Sequence, residues 1–178
     1  MAKKLEIESK KQIFECPYRK IDEKIYMRED GVRETMYIVN EHDIAIVMGI
    51  TKDNKVLLIQ EYFFAEDRRV KTLVGGLVEN DDPKKTAEAE LLEEAGCVAR
   101  EIIDLGSAMV GKYITGSIHC FLALGIEKKF EQTLEESEDI DMDFISMEEF
   151  KNILLNSELH GVGDVMCAYQ ALHYLKEL

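Results

Sequence analysis

Apolar residues come in short runs broken by turn-forming residues up to Leu77, and then recur at helical spacing from Pro83. Gln12–Cys16, Lys24–Arg28 and Arg33–Val39 read as strands, with Asp30-Gly31 as a hairpin signal between the last two. Asp43–Ile50 and Lys55–Tyr62 are apolar strands joined by Lys52-Asp53-Asn54, a tight-turn composition. Leu73–Leu77 is a further strand and runs into the turn Glu79-Asn80-Asp81-Asp82. Ala87, Leu91 and Ala95 then form the buried stripe of a helix. Asp81 or Asp82 serves as its N-cap, Pro83 fits the first helical position, and Gly96 is the expected left-handed C-cap. Ile102–Val110, Ile118–Leu124 and Met142–Ile145 read as strands. Met147–Leu155 and Asp164–Leu175 read as helices, the second with Val165, Ala168, Leu172 and Leu175 on one face. Strands alternating with a few helices predict an α/β fold with a mixed sheet. Residues 1–40 form a small N-terminal β lobe, too short for a core of its own, and residues 41–178 form the main domain.

The helix from Pro83 carries Glu90, Glu93 and Glu94. Residues three and four apart share a helix face, so these carboxylates can converge on one point. Such a set of hard oxygen ligands suits Mg²⁺ or Mn²⁺, above all where a phosphate completes the coordination. The glutamates lie mostly off the buried stripe and are expected to face solvent. Gly75 and Gly76 lie in the strand-like run before them.

The segment Leu73–Cys97, LVGGLVENDDPKKTAEAELLEEAGC, resembles the signature of the Nudix hydrolases, G-x5-E-x7-R-E-U-x-E-E-x-G-U with U aliphatic. Counted from Gly75, Asp81 falls on the first Glu, Ala89 on the Arg, Glu90 on the next Glu, Glu93 and Glu94 on the Glu pair, and Gly96 on the Gly. Gly76 is an alternative start, which leaves the loop one residue short. Val56–Tyr62, Arg33-Glu34 and Gly163–Tyr169 are similar to the ADP-ribose and nucleotide-sugar pyrophosphatases of that family. Two departures stand out: Asp81 replaces a Glu, and Ala89 replaces an Arg that in the family orients neighbouring carboxylates. Phe63 stands near the place of another family Arg, and a Pro common after the signature is absent from Ser107–Gly111.

The resemblance implies a Nudix α/β/α sandwich and metal-dependent hydrolysis of a diphosphate linkage, as in ADP-ribose. It implies metal binding by Glu90, Glu93 and Glu94, with the Gly75 carbonyl as a further ligand. Glu90 and Glu94 are the catalytic carboxylates of the helix, and Glu90 serves as ligand or as base. Glu135, Glu136 and Glu138, in a second acidic segment, are candidates for the general base, with Glu138 taken as the catalytic one. Arg33, Tyr62 and Lys112 are candidates for substrate contact, Arg33 through its planar fork on phosphate. Phe63 or Phe64 stacks on a base or packs in a core. The resemblance also implies a homodimer built partly through residues 1–40. Nudix-fold nucleotide binding with little catalysis, or hydrolysis of another nucleoside polyphosphate, are the alternatives that Asp81 and Ala89 keep open.

A chain of 178 residues with 46% apolar and 33% charged composition holds one full core. The formal net charge of −14 argues against a nucleic-acid polymer as partner, but not against a small phosphorylated nucleotide bridged by a cation. No apolar run reaches membrane-spanning length, and the start of the chain lacks a secretion core, so a cytoplasmic protein without membrane association is expected. Cys16, Cys97, Cys120 and Cys167 lie far apart, and the four histidines show no ligand spacing, which disfavours zinc and disulfides.

Overall fold

The computed structural model describes residues 5–17, 19–78, 81–135 and 138–177. Glu79 and Asn80 of the expected turn, and the candidate base Glu136, lie outside them. The chain forms two compact units, Met1–Asp43 with Ala108–Ser117, and Ile44–Ser107 with Ile118–Leu178.

In the first unit, β1 (Leu5–Cys16), β2 (Arg19–Arg28) and β3 (Arg33–Asn40) make an antiparallel meander. β1 is much longer than its weak alternation suggested, and its register shifts near Glu8 and Ile13. Gly31 turns the second hairpin at φ 80°, donating its N–H to the Arg28 carbonyl at 2.9 Å. The segment 108–117 closes on the end of the meander. The Val39 N–H donates to the Tyr113 carbonyl at 2.9 Å, and the Ser117 N–H to Asp43 at 2.9 Å. Leu5, Ile7, Ile13, Phe14 and Tyr37 are exposed on these strands.

The second unit contains β4 (Ile44–Thr51), β5 (Lys55–Phe63), β6 (Arg68–Thr72), β7 (Val74–Leu77), α1 (Pro83–Ala95) and β8 (Cys97–Val98). It also holds most of β9 (Glu101–Gly111) and β10 (Ile114–Lys128), then β11 (Asp141–Ser146), α2 (Met147–Leu155) and α3 (Val162–Leu175). β10 runs parallel to β4 from Ile118↔Ile44 onward, and β4 is antiparallel to β5 and β7. β5 in turn pairs antiparallel with β6 and β11, so the sheet is mixed. β6 was not expected, because RRVKT carries three cations in five residues and lacks an apolar pattern.

Alternation along β4 sends successive side chains to opposite faces. Ala45 and Val47 join Leu57, Ile59, Val74 and Phe121 under Ala87, Leu91 and Ala95 of α1. Ile46 faces α3, where a Cβ on Gly163 would lie 2.4 Å from its Cδ1 and where the Cys167 thiol reaches the Ile46 carbonyl at 3.6 Å. The sheet is therefore covered by a helix on each face, in an α/β/α arrangement. Burial of one large side chain such as Leu91, 1% exposed, contributes roughly 2 kcal/mol. Among the described residues no helix is long and apolar enough to cross a membrane.

Candidate active site

α1 starts and stops on local signals. The Asp82 carboxylate accepts the Lys85 N–H at 3.2 Å, Pro83 occupies the first turn, and Gly96 ends the helix at φ 62°. The glycine is obligatory there, since a Cβ would stand 2.0 Å from the Phe130 carbonyl oxygen. These limits fix the phase at which Glu90 and Glu94, one turn apart, meet β7. The Gly75 N–H donates to Glu94 Oε2 at 3.1 Å. A Cβ on Gly76 would lie 1.8 Å from Glu90 Oε1, so the carboxylate fills the space that the glycine leaves.

Glu94 does not face solvent as expected; it is 5% exposed, beside the stripe of Leu91 and Ala95. Burial pushes its pKa up to about 9, and the neighbouring charge of Glu90 adds to the effect. The Gly75 N–H acts in the opposite sense, and Glu61 and Glu138 raise the value further. Glu90 is half-buried and Glu93 is exposed. In front of them lies a cavity of about 840 Å³, lined among others by Gly76, Asp81, Ala89, Glu90, Glu93 and Glu138. Asp81 takes a left-handed backbone, φ 55°, which aspartate tolerates better than most side chains. Lys85 also lines the cavity, paired with Asp82 at 3.1 Å, so a cation stands one turn before Ala89 on the same wall.

The acidic segment reaches the cavity because its approach is fastened to α1. Lys129 and Phe130 donate their N–H groups to the Gly96 carbonyl, at 2.9 and 3.0 Å. The Gln132 amide donates to the carbonyls of Glu94, at 2.6 Å, and Ile140, at 3.2 Å. Glu138 accepts the Glu135 N–H at 2.8 Å, and both glutamates line the cavity.

Glu61 escaped the sequence reading. It accepts a hydrogen bond from the Thr72 hydroxyl at 3.0 Å, and burial, with help from the Glu138 charge, raises its pKa. Leu57, Ile59 and Glu61 share one face of β5, but Val56 and Leu58 on the other face are buried as well, so strand alternation gives no sequence signal for Glu61. Tyr62, the residue singled out instead, points by the same alternation to the other face. It is exposed, stacks edge-on against Phe64 at 5.3 Å, and does not line the cavity. Asp164, 7% exposed at the start of α3, accepts the Leu73 N–H at 2.7 Å. Burial raises its pKa to about 6 against that bond.

The other two substrate-contact candidates belong to the first unit, whereas the described residues that line the cavity belong to the second. The Arg33 guanidinium forks onto Glu8 at 2.6 and 2.7 Å, so its planar face is already engaged by a carboxylate. Lys112 is exposed, with its ammonium 5.2 Å from the Tyr113 ring centroid.

Among the described residues, no three acidic, His or Cys side chains are arranged to hold an ion as they stand. The donor chemistry nevertheless fits a hard divalent cation: Glu90 is seated in the space at Gly76, and buried Glu94 is held by the Gly75 N–H. Burial and the charge of Glu90 hold Glu94 against ionising, and a bound divalent ion would reverse that effect.

The chain resembles a methanol dehydrogenase activator of Bacillus methanolicus, 27% identical over 150 residues, spanning 83% of this chain and 79% of that protein. Its fold matches the crystal structure of an ADP compounds hydrolase with a TM-score of 0.84, at 18% identity, over 97% of this chain and 95% of the other. The NUDIX domain family model matches residues 41–162, a stretch that contains β7, α1 and the acidic segment, and the chain therefore belongs to the Nudix family.

Proposed function

We propose that this protein hydrolyses the diphosphate linkage of a nucleoside diphosphate-sugar, with ADP-ribose the first compound to test, and that it does so with Mg²⁺ or Mn²⁺. The observation that carries this reading is the cavity lined by Glu90, Glu93 and Glu138, with buried Glu94 bonded to the N–H of Gly75 in its wall. An acidic cleft binds a polyanionic substrate only with cations between them, and Nudix hydrolases generally use divalent ions. Such an ion, when bound, would neutralise phosphate charge and lower the pKa of a bound water. Glu90, Glu93, Glu94 and the Gly75 carbonyl would hold it. Glu138, which lines the cavity on a tethered segment, would accept a proton from an attacking water. Lys85 offers the cavity a positive group for a substrate phosphate. The similarity in fold to an ADP compounds hydrolase favours an adenosine diphosphate moiety.

A screen of diphosphate compounds with Mg²⁺ and Mn²⁺, with products identified by mass, tests the reading. Cleavage of ADP-ribose to AMP and a sugar phosphate is expected, and a Glu93→Gln, Glu94→Gln double variant should lose it. A second reading, nucleotide binding with weak catalysis, is favoured by Ala89 and by the relative named as an activator of another enzyme; binding without turnover of any diphosphate would select it. The four free cysteines fit a reducing, cytoplasmic setting. The exposed apolar side chains of β1–β3 fit a homodimer, for which light scattering should give about twice the 20.4 kDa chain mass.

A further inference from the structure

Three carboxylates from three elements take hydrogens from one short stretch of chain. Glu61 of β5 accepts the Thr72 hydroxyl at 3.0 Å. Asp164 of α3 accepts the Leu73 N–H at 2.7 Å, and Glu94 of α1 accepts the Gly75 N–H at 3.1 Å. Thr72, Leu73 and Val74 are at most 2% exposed, and the Leu73 bond to Asp164 is fully buried, so water does not compete for it. It also has no slack on its other side, because a Cβ on Gly75 would stand 2.5 Å from the Ala45 carbonyl oxygen. Asp164 is itself seated: a Cβ on Gly161 would lie 1.8 Å from its Oδ2, so the glycine before α3 leaves the space that the carboxylate occupies. Only Glu94 of the three belongs to the proposed cation site. None of the three lines the cavity itself; Glu94 meets its wall through the Gly75 N–H.

We infer that Asp164, and Glu61 through Thr72, are positioning residues that hold Thr72 and Leu73 so that Gly75 and Gly76 meet Glu94 and Glu90. The inference rests on the reading of Glu90 and Glu94 as the working carboxylates. It gives the start of α3, remote in sequence from the signature, a part in the site. A carboxylate oxygen or an amide oxygen can accept the Leu73 N–H, so what matters at residue 164 is the acceptor rather than the charge.

The test compares Asp164→Ala, Asp164→Asn and Thr72→Val with wild type by two readings. The first is hydrogen exchange of the Gly75 amide, by NMR on metal-free protein, relative to the Val47 amide elsewhere in the sheet. The second is Mn²⁺ affinity by electron paramagnetic resonance. Loss of a partner that orients a ligand typically weakens metal binding about 10- to 100-fold. Asp164→Ala should weaken Mn²⁺ binding by about that range and selectively speed Gly75 exchange, and Asp164→Asn should restore both. A folded Asp164→Ala protein with unchanged Gly75 exchange and Mn²⁺ affinity would overturn the inference. Should Asp164→Ala not fold, Thr72→Val decides by the same readings, expected to move in the same direction. Absence of turnover in wild type would sink the proposed activity but leaves Gly75 exchange readable, so the two ideas fail separately.

Discussion

Gly76 and Glu90 share one space: a Cβ on the glycine would lie 1.8 Å from the glutamate's carboxylate oxygen and 2.4 Å from its carboxylate carbon. Gly76 is thus a seat for a side chain rather than a device for bending the backbone. Gly76→Ala is expected to evict Glu90 and weaken Mn²⁺ binding by about tenfold or more, with little loss of stability. Calorimetric titration checks the affinity and thermal unfolding the fold. Gly111→Ala, where the nearest atom stands 4.0 Å away, serves as the control that should change neither.

Glu94 sets a pH dependence. Its pKa in the folded, metal-free protein stands at about 9, above the ordinary 4.5, so near neutrality the carboxyl holds a proton that a cation must displace. Metal affinity should therefore rise with pH, by close to tenfold per unit between about pH 6.5 and 8.5, with one proton released per ion. Glu94→Gln keeps an acceptor for the Gly75 N–H but removes the titrating group. It should bind weakly and lose the slope. A flat wild-type profile over that range would refute the assignment.

Asp164 sets a second one, in stability. Its folded pKa of about 6 exceeds the ordinary 3.8, so the folded state binds the proton more tightly than the unfolded state. That contribution is fully present below about pH 4, is lost as pH rises through about 6, and is absent above. Asp164→Asn has no proton to lose. Its stability relative to wild type should grow from pH 4 to pH 7, by at most about 3 kcal/mol. Urea unfolding of both proteins across that range measures the difference, in which the titration of other groups cancels.

Ala89 lines the cavity beside Glu90 and Glu93, where the Nudix signature has an arginine. Ala89→Arg should place a guanidinium among these carboxylates and raise kcat/KM on the best substrate. A tenfold gain would correspond to about 1.4 kcal/mol of transition-state stabilisation. Lys85, on the same wall, is the residue most able to stand in for the missing cation, so Lys85→Ala should lower activity in wild type and matter less in Ala89→Arg. A wild type of full efficiency, indifferent to both changes, would show that the position is free to vary.

What the sequence made legible was whatever is decided within a turn or two of chain. Asp82, Pro83 and Gly96 bound α1 because capping is local chemistry, and the four-residue recurrence of Ala87, Leu91 and Ala95 identified the buried stripe. Depth was another matter. Helical arithmetic places Glu90 and Glu94 on one face, yet it does not say that Glu94 lies beneath β7, since that depends on where a strand some 20 residues earlier crosses the helix. β6 stayed hidden because its pairing with β5, Tyr62↔Arg69 and Glu61↔Val70, supplies the order that its own charged sequence does not. Glu61 has no local signal: an aromatic such as Tyr62 suggests binding, a strand glutamate suggests solvent, and the run Val56–Ile59 is buried on both faces.

The fastening of the acidic segment to the last turn of α1 has an evolutionary side. Gly96 receives the incoming chain through two N–H groups, and Gln132 ties it to Glu94 and, through Ile140, to the start of β11. Both ends of the segment are thereby anchored to elements that the fold needs for its own stability. Between such anchors, side chains such as Glu135 can be exchanged without displacing α1. Substitutions between the anchors would then reshape that wall of the cavity while leaving α1, with Glu90 and Glu94, in place, so that the wall and the helix drift at separate rates.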